Sequence, residues 1–369
     1  MHIPDYEHAP GRHCGSTSLR NLATYYGWGF DEPTCFGLAS GLGFTYFELP
    51  NPPHRAFFGR PPYLERAFFE NLGIGYEERS GEDWATAWGE IRARVDAGDP
   101  ALVFADIYHL DYFGTDTHFS PHALLVVGYG REYEREREEE GAEDEGDGSE
   151  GDGGGHGSEE GDGGSHGSGT EYVVLSDSEF PEPQRVPVES LRAAMTVPPD
   201  LSYPTRNRYL VVTDPEIRVP VEEAVATATE ATARYMLDPR DAVHDVGAFG
   251  VHGLDGVRAL AADLPGWTAL PDPAWTTRFA YQNVERRGTG GGAFRGLQRD
   301  FLRTVGHPYG EHVTEETAAI ADAWTDAALT LREASEADEA ELSRGLAAAG
   351  EAIEALADRE EALYRSILD

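Results

Sequence analysis

One segment near the start of the chain decides the fold: His13-Cys14-Gly15-Ser16-Thr17-Ser18-Leu19-Arg20-Asn21-Leu22-Ala23-Thr24-Tyr25-Tyr26-Gly27. From Ser16 onward its apolar residues recur at helical spacing and Gly27 ends the pattern, so a helix is predicted. Cys14 then stands at the helix N-terminus, where unpaired N–H groups and the positive dipole end favour a thiolate and can bind an oxyanion. For Cys14 taken alone, the alternative is a buried structural cysteine.

A histidine and an aspartate mark two apolar strands further along the chain. Residues 120–130 predict a buried strand that opens near His122, and residues 171–177 predict a second strand that ends at Asp177. If the two strands pair antiparallel, with their connection as the hairpin turn, both side chains fall at the same end of the sheet. Together with Cys14 they form a nucleophile, a base and an orienting carboxylate, the set that acyl transfer requires, in the papain-like chain order.

The composition is strongly acidic and free of lysine. Acidic residues number 67 against 29 basic residues, all of them arginine, and the net charge is −38. In molar salt the Debye length falls to about 3 Å and such a charge is largely screened, so we infer a halophilic source rather than an acidic protein of ordinary ionic strength. The same charge argues against non-specific nucleic-acid binding.

The cysteine content, the N-terminal residues and the lengths of the apolar runs indicate the cellular location of the protein. Two cysteines, Cys14 and Cys35, do not make a disulfide framework. The first residues lack the basic and apolar regions of a signal peptide. No apolar run approaches the roughly 20 residues of a membrane span. We therefore expect a soluble, cytoplasmic protein with no membrane partner.

Two intermediate stretches have open interpretations. Residues 32–47 alternate glycines with aromatic residues and predict a loop, either the wall of an acyl-substrate groove or an ordinary connection. The stretch between a strand at 100–108 and the His122 strand holds four potential metal ligands: His109, Asp111, Asp116 and His118. Their spacing matches no known ligand pattern, so no metal site is expected.

The chain divides into two predicted domains of an α+β protein. Residues 1–218 predict a domain in which the cysteine-bearing helix packs against an antiparallel sheet. Residues 131–170, with His156 and His166, form an acidic, glycine-rich insertion predicted to be disordered, in the turn between the two strands. Residues 219–369 predict an all-α domain whose last two helices are long enough to pack as an antiparallel pair.

A glycine-rich motif opens a helix in the second domain. Residues 287–295 read Arg-Gly-Thr-Gly-Gly-Gly-Ala-Phe-Arg, and five arginines lie between positions 286 and 303. A glycine-rich loop before a helix N-terminus is suited to an anion, such as a phosphopantetheine phosphate or an acidic carrier-protein surface. The alternative is a helix start with solvated arginines. The candidate anion ligands are Arg287, Gly290, Gly291, Gly292 and Arg295.

These motifs resemble a known family. Residues 13–22, with Phe36-Gly37-Leu38 and Gly41-Leu42-Gly43-Phe44, resemble the N-terminal domain of the butirosin biosynthesis protein H (BtrH) family, and the motif at 287–295 is similar to the uncharacterised domain that commonly follows it. The resemblance implies a papain-like fold and a cysteine acyltransferase. The family's namesake moves an aminoacyl group from a carrier-protein thioester to an aminoglycoside amine.

The resemblance also implies roles for individual residues. Cys14 corresponds to the nucleophile and His122 to the base, and Asp177 is the third member by position. Papain-type enzymes place a glutamine for the oxyanion hole some six residues before the cysteine, and here that position is His8. The backbone N–H of Cys14 is therefore the expected oxyanion donor.

Three functions are open at this point. The first is an acyltransferase that takes an acyl or aminoacyl group from an acyl-carrier protein or other acyl thioester to a small amine. It needs no cofactor of its own, since the substrate is presented on phosphopantetheine. The second is a papain-like cysteine peptidase or amidase, and the third is a non-catalytic binding protein on the same fold. The arginine-rich loop favours the first, because a peptidase has no evident need for it.

Overall fold

A computed structural model describes residues 2–132, 169–198, 204–242, 249–306 and 309–369. The strands are β1 (Thr45–Glu48), β2 (Arg55–Phe58), β3 (Gly75–Arg79), β4 (Ala101–Ala105), β5 (His122–Glu132), β6 (Thr170–Ser176), β7 (Gln184–Pro187), β8 (Tyr209–Asp214) and β9 (Val251–His252). The helices are α1 (Cys14–Tyr25), α2 (Glu32–Leu38), α3 (Leu64–Leu72), α4 (Trp84–Ala97), α5 (Val188–Met195), α6 (Val221–Leu237), α7 (Gly253–Asp263), α8 (Pro273–Glu285), α9 (Arg295–Val305), α10 (Glu311–Ser335) and α11 (Glu339–Leu368).

A six-stranded antiparallel sheet forms the centre of the first half, in the order β3-β8-β4-β5-β6-β7. All five residues of β4 and the first seven of β5 are buried. Alternate side chains of β4 enter different cores, because successive residues of a strand point to opposite faces. Leu102 and Phe104 join the core that contains α1, whereas Val103 joins the core that contains α4 and α5. The α+β class and the helix packed on an antiparallel sheet are confirmed.

The predicted antiparallel pairing of the two apolar strands is also confirmed. Glu132 at the end of β5 lies opposite Thr170 at the start of β6, and Leu125 lies opposite Ser176. The connection over 131–170 therefore joins the strands at the sheet end remote from His122. Apart from residues 131, 132, 169 and 170, this predicted insertion, including His156 and His166, lies outside the described residues.

The loop predicted over residues 32–47 is correct for residues 39–44 and wrong for the residues on either side. Its first part is helix α2, which begins with an Asp31 N-cap that accepts the N–H of Thr34 at 2.9 Å and has Pro33 in its first turn. Both features are helix-start signals that outweigh the glycine content. Its last part enters strand β1. The aromatic residue Phe36 is fully buried in the core rather than lining an open groove.

The second half is helical as predicted, but it shares its core with the first half. Strand β9 pairs with β1, so a small sheet in the order β2-β1-β9 combines both halves. One apolar cluster extends from α1 and α2 into α6–α11. Helices α10 and α11 are antiparallel, since Arg359 pairs with Glu316. The predicted boundary at residue 218 falls between β8 and α6. Among the helices within the described ranges, none is both long and apolar enough to cross a membrane.

Candidate active site

The cysteine occupies the first position of α1, as the sequence predicts. The residue before it, His13, is the N-cap: its Nδ1 accepts the N–H of Ser16 at 3.2 Å, and its carbonyl accepts the N–H of Thr17 at 2.9 Å. The N–H groups of Cys14 and Gly15 donate to no acceptor in the part of the chain that the structure describes. These two groups at the positive end of the helix are therefore the ones that an oxyanion would meet.

A buried glutamate, Glu32, holds the turn in front of Cys14. Its carboxylate accepts the backbone N–H groups of Arg12 at 3.0 Å and His13 at 2.9 Å. The hydroxyls of Ser16 and Thr17 also donate to it, each at 3.1 Å. Sequence reasoning missed this residue, because nothing local relates Glu32 to a turn that lies about twenty residues earlier. Four donors on one carboxylate fix the backbone on which the nucleophile sits.

His122 and Asp177 meet at one end of the sheet. His122 opens β5 and Asp177 follows β6, and His122 Nε2 lies 2.9 Å from Asp177 Oδ2. Both are buried, with exposed fractions of 4% and 0%. Asp177 Oδ2 also accepts the hydroxyl of Tyr112 at 2.8 Å, and Oδ1 accepts the N–H of Glu179 at 3.1 Å. Because Nε2 faces the carboxylate, Nδ1 is the nitrogen left to interact with the Cys14 side chain, whose thiol pKa His122 lowers.

The electrostatics of the site favour a thiolate beside an imidazolium. Burial opposes ionisation of Cys14, but electrostatic interactions with the neighbouring His13 and His122 outweigh it and hold the pKa of the thiol well below its usual value. Burial likewise opposes charge on His122, yet Asp177 and Cys14 raise the pKa of the imidazole to about 10. By contrast, burial and the nearby Asp31 raise the pKa of the Cys35 thiol well above its usual value. Of the two thiols, Cys14 is therefore the one whose surroundings favour the thiolate.

Aromatic rings cover the imidazole and the carboxylate. Phe113 meets His122 edge-on at 5.4 Å between ring centroids, and Phe180 meets Phe113 at 5.3 Å and Tyr112 at 4.9 Å. A water-poor surrounding strengthens the attraction between the imidazolium and the carboxylate.

His8, which stands where papain-type enzymes carry a glutamine, is not an oxyanion donor. Its Nδ1 lies 2.7 Å from Ser176 Oγ and its Nε2 lies 2.8 Å from the carbonyl oxygen of Phe180. Since a carbonyl only accepts, Nε2 carries the proton and Nδ1 accepts from the serine. Both nitrogens are therefore used in holding the segment that carries Asp177.

The glycine-rich loop of the second half packs against the turn that precedes Cys14. The ring of Phe294 contacts that of His13 edge-on at 5.1 Å and stacks on Phe36 at 5.6 Å. Gly290, Gly291 and Gly292 all have positive φ, and a Cβ on Gly292 would lie 2.8 Å from the carbonyl oxygen of Ala321. The N–H groups of Gly291 and Gly292 donate to Thr289 Oγ1 at 3.3 Å and Glu285 Oε1 at 3.0 Å. Positive φ thus accounts for all three glycines, and close packing also accounts for Gly290 and Gly292.

The two arginines predicted to bind an anion have different surroundings. Arg295 is 1% exposed, and its Nε and Nη2 donate to the two carboxylate oxygens of Glu360 at 2.8 and 2.9 Å. Trp324 Nε1 donates to the same carboxylate at 2.7 Å. Because its charge is matched inside the protein, we assign Arg295 no anion-binding role. Arg287 lies over the ring of Phe279 at 4.7 Å and forms no ion pair within the described ranges.

Two protein-family models together match most of the chain. Residues 13–135 match the model described as butirosin biosynthesis protein H, N-terminal, and residues 189–367 match a domain of unknown function, DUF4872. No curated protein matches the chain. Cys14 and His122 lie within the first match, Asp177 lies between the two matches, and β8 of the central sheet lies within the second.

Proposed function

Since the chain carries a BtrH N-terminal domain followed by a DUF4872 domain, we propose that it is a cysteine-dependent acyltransferase with Cys14 as its nucleophile. The proposal rests first on the arrangement of Cys14, His122 and Asp177: a thiol at a helix N-terminus, an imidazole that lowers the pKa of this thiol, and a buried carboxylate 2.9 Å from the imidazole. This arrangement suits attack of sulfur on an acyl carbonyl.

The first half-reaction forms an acyl-enzyme. The Cys14 thiolate attacks the carbonyl carbon of the donor thioester, and the resulting oxyanion is bound by the N–H groups of Cys14 and Gly15. Collapse of this intermediate breaks the donor's C–S bond, and His122 gives its proton to the departing thiolate. The proton is released more readily at this stage, because conversion of the Cys14 thiolate to a neutral thioester removes the anion that raised the pKa of His122.

The second half-reaction transfers the acyl group to an amine. The amine nitrogen attacks the acyl-enzyme carbonyl, neutral His122 takes the proton of that nitrogen, and the Cys14 sulfur leaves as a thiolate. The products are an amide and the original thiolate–imidazolium pair. Asp177 holds the ring in place in both steps, since it accepts from Nε2 while Nδ1 faces the reacting atoms.

An amine acceptor is supported by the charge of the site. Glu179 is an exposed residue whose backbone N–H donates to Asp177. Although the residue is exposed, partial desolvation of its carboxyl group raises the pKa of Glu179, and its charge interacts with those of His122, Asp177 and Cys14. We assign Glu179 to the binding of a cationic amine at the mouth of the site.

The donor is proposed to be an acyl thioester on the phosphopantetheine of a carrier protein. This part follows from the resemblance to the BtrH family, and the glycine-rich loop supports it only through Arg287, because Arg295 is paired with Glu360. In molar salt the repulsion between this chain and an acidic carrier is screened within a few ångströms, about 3 Å at 1 M.

The test compares aminolysis with hydrolysis. The protein is incubated with an acyl N-acetylcysteamine thioester and increasing amounts of small amines, and amide and free acid are quantified by mass spectrometry. A transferase forms amide at the expense of acid as the amine concentration rises, and Cys14→Ala abolishes the product while Cys35→Ala does not. Formation of acid alone, independent of the amine, would identify a hydrolase instead. Thioester binding without either product would leave the non-catalytic binding protein.

A further inference from the structure

Three potential metal ligands converge beside the sheet end that carries the candidate active site. Asp106 follows β4, and His109 and His118 come from the segment that leads to β5; one ligand atom of each lies within 4.8 Å of the others. We propose that Asp106, His109 and His118 form a binding site for a divalent transition metal of the zinc class. The site is separate from the acyl-transfer step.

The geometry of these residues is already close to that of a coordination site. Asp106 Oδ2 lies 2.8 Å from His118 Nδ1, and the rings of His109 and His118 are 5.9 Å apart between centroids. Ligand atoms bound at 2.0–2.1 Å to a tetrahedral zinc ion are about 3.3 Å apart. Small side-chain rotations would therefore replace the Asp106–His118 hydrogen bond with an ion shared by all three residues.

The backbone holds the ligands in place before any ion binds. Asp106 is fully buried, and its Oδ1 accepts the N–H groups of Tyr108 at 3.1 Å and Phe119 at 2.9 Å. The N–H of Ile107 donates to the carbonyl of Phe119 at 3.2 Å, which ties the two ends of the segment together. Hydrogen bonds that orient a ligating carboxylate are typical of metal sites. Both histidines are half-buried, so solvent and ions can reach them.

The chemistry of the ligands selects the type of ion. Two imidazoles and one carboxylate suit zinc, cobalt or iron(II), whereas calcium and magnesium prefer oxygen ligands. Three protein ligands leave at least one coordination position for water. The sequence did not predict this set, because Asp106 completes it while Asp111 and Asp116 take no part in it.

A bound ion would stabilise the segment that orients the catalytic pair. Between His109 and His118 this segment carries Tyr112, whose hydroxyl donates to Asp177, and Phe113, whose ring contacts His122. Occupancy of the site would fix both contacts, although no step of acyl transfer passes through the ion.

The test uses the full chain in a Cys14→Ser, His156→Gln, His166→Gln background. These changes remove the active-site thiolate and the two histidines of the acidic segment, which would otherwise compete for metal. Zinc binding is measured by isothermal titration calorimetry, and cobalt is used as a probe because tetrahedral cobalt shows strong visible absorption. We expect one equivalent of zinc and a tetrahedral cobalt spectrum.

Two separate substitutions, His109→Gln and His118→Gln, are each expected to weaken zinc binding at least tenfold, because loss of even an outer-shell partner of a metal ligand typically costs about 10–100-fold in affinity. The exposed His312→Gln serves as the matched control and leaves binding unchanged. Circular dichroism checks that each variant is folded. His109→Gln is the milder change because, among the residues that the structure describes, the His109 side chain makes only ring contacts, with Tyr108 and His118. An absence of zinc binding in the background protein would overturn the proposal, as would unchanged affinity in folded His109→Gln. Either result leaves the acyltransferase proposal intact, because Cys14 is absent from this protein.

Discussion

Replacement of Asp177 by asparagine should lower the pKa of His122 and shift the alkaline limit of Cys14 reactivity. In the wild type the imidazole has a pKa of about 10 because the Asp177 and Cys14 charges outweigh burial, so the imidazolium persists below that pH. The pKa of the Cys14 thiol is lowered, so the thiolate persists below the pH at which an ordinary thiol takes up its proton. Both charged forms therefore coexist across a wide range that ends on the alkaline side with the deprotonation of His122.

The size of the shift in the His122 pKa follows from the charged hydrogen bond to Asp177 that is lost. A hydrogen bond to a charged group contributes about 1.5–3 kcal/mol, and one pKa unit corresponds to 1.36 kcal/mol, so Asp177→Asn should lower the pKa of His122 by about 1–2 units. Asparagine keeps the shape and one acceptor oxygen, so the change removes mainly the charge.

The assay is the rate of Cys14 alkylation by iodoacetate as a function of pH. An anionic reagent is attracted by the imidazolium, so its rate decreases as His122 loses its proton. A Cys35→Ala background removes the second thiol, which is fully buried. The alkaline decrease should occur about 1–2 pH units lower in Asp177→Asn than in the wild type. The same alkaline limit in both proteins would refute the assignment of Asp177 as the partner of His122.

Three further predictions concern the core, the glycine-rich loop and the acceptor. Glu360→Gln leaves the Arg295 charge buried without a partner and should reduce the free energy of unfolding, measured by urea titration, by about 3–5 kcal/mol. The double variant Arg295→Met/Glu360→Leu removes both charges and should lose much less. Equal losses in the two proteins would contradict the buried ion pair. Gly292→Ala should lower Tm more than Gly81→Ala. Both positions have positive φ, but only the added Cβ at Gly292 would contact backbone atoms, those of Ala321. Equal shifts in Tm would argue against tight packing of the loop. Glu179→Gln should raise KM for a cationic amine acceptor without changing the rate at which the thioester acylates Cys14. An unchanged KM would show that Glu179 does not belong to the acceptor site.

Local sequence patterns were sufficient to predict the helix and the strands that carry the candidate catalytic side chains. The apolar spacing after Ser16 defines α1 and places Cys14 at its start. The apolar runs near His122 and Asp177 define β5 and β6, and the position of their connection indicates antiparallel pairing. The meeting of these residues could be predicted because each lies at the end of a regular element.

Side chains whose partners are distant in sequence could not be predicted. Arg295 is as suitable for a phosphate as for a carboxylate until Glu360, 65 residues later, is known to lie against it. Glu32 and His8 gain their roles only from the fold that brings them to the turn of Cys14 and to β6. In the same way, Asp106 joins His109 and His118 only once the segment folds back on β4.

The most direct measurement of the central claim is the intact mass of the protein after brief exposure to an acyl thioester without an amine. Wild type and Cys35→Ala should each gain one acyl group, mapped by peptide mass spectrometry to Cys14, and Cys14→Ala should gain none. An acyl group found on Cys35, or no gain in wild type while iodoacetate still modifies Cys14, would contradict the assignment of Cys14 as the acyl-accepting nucleophile.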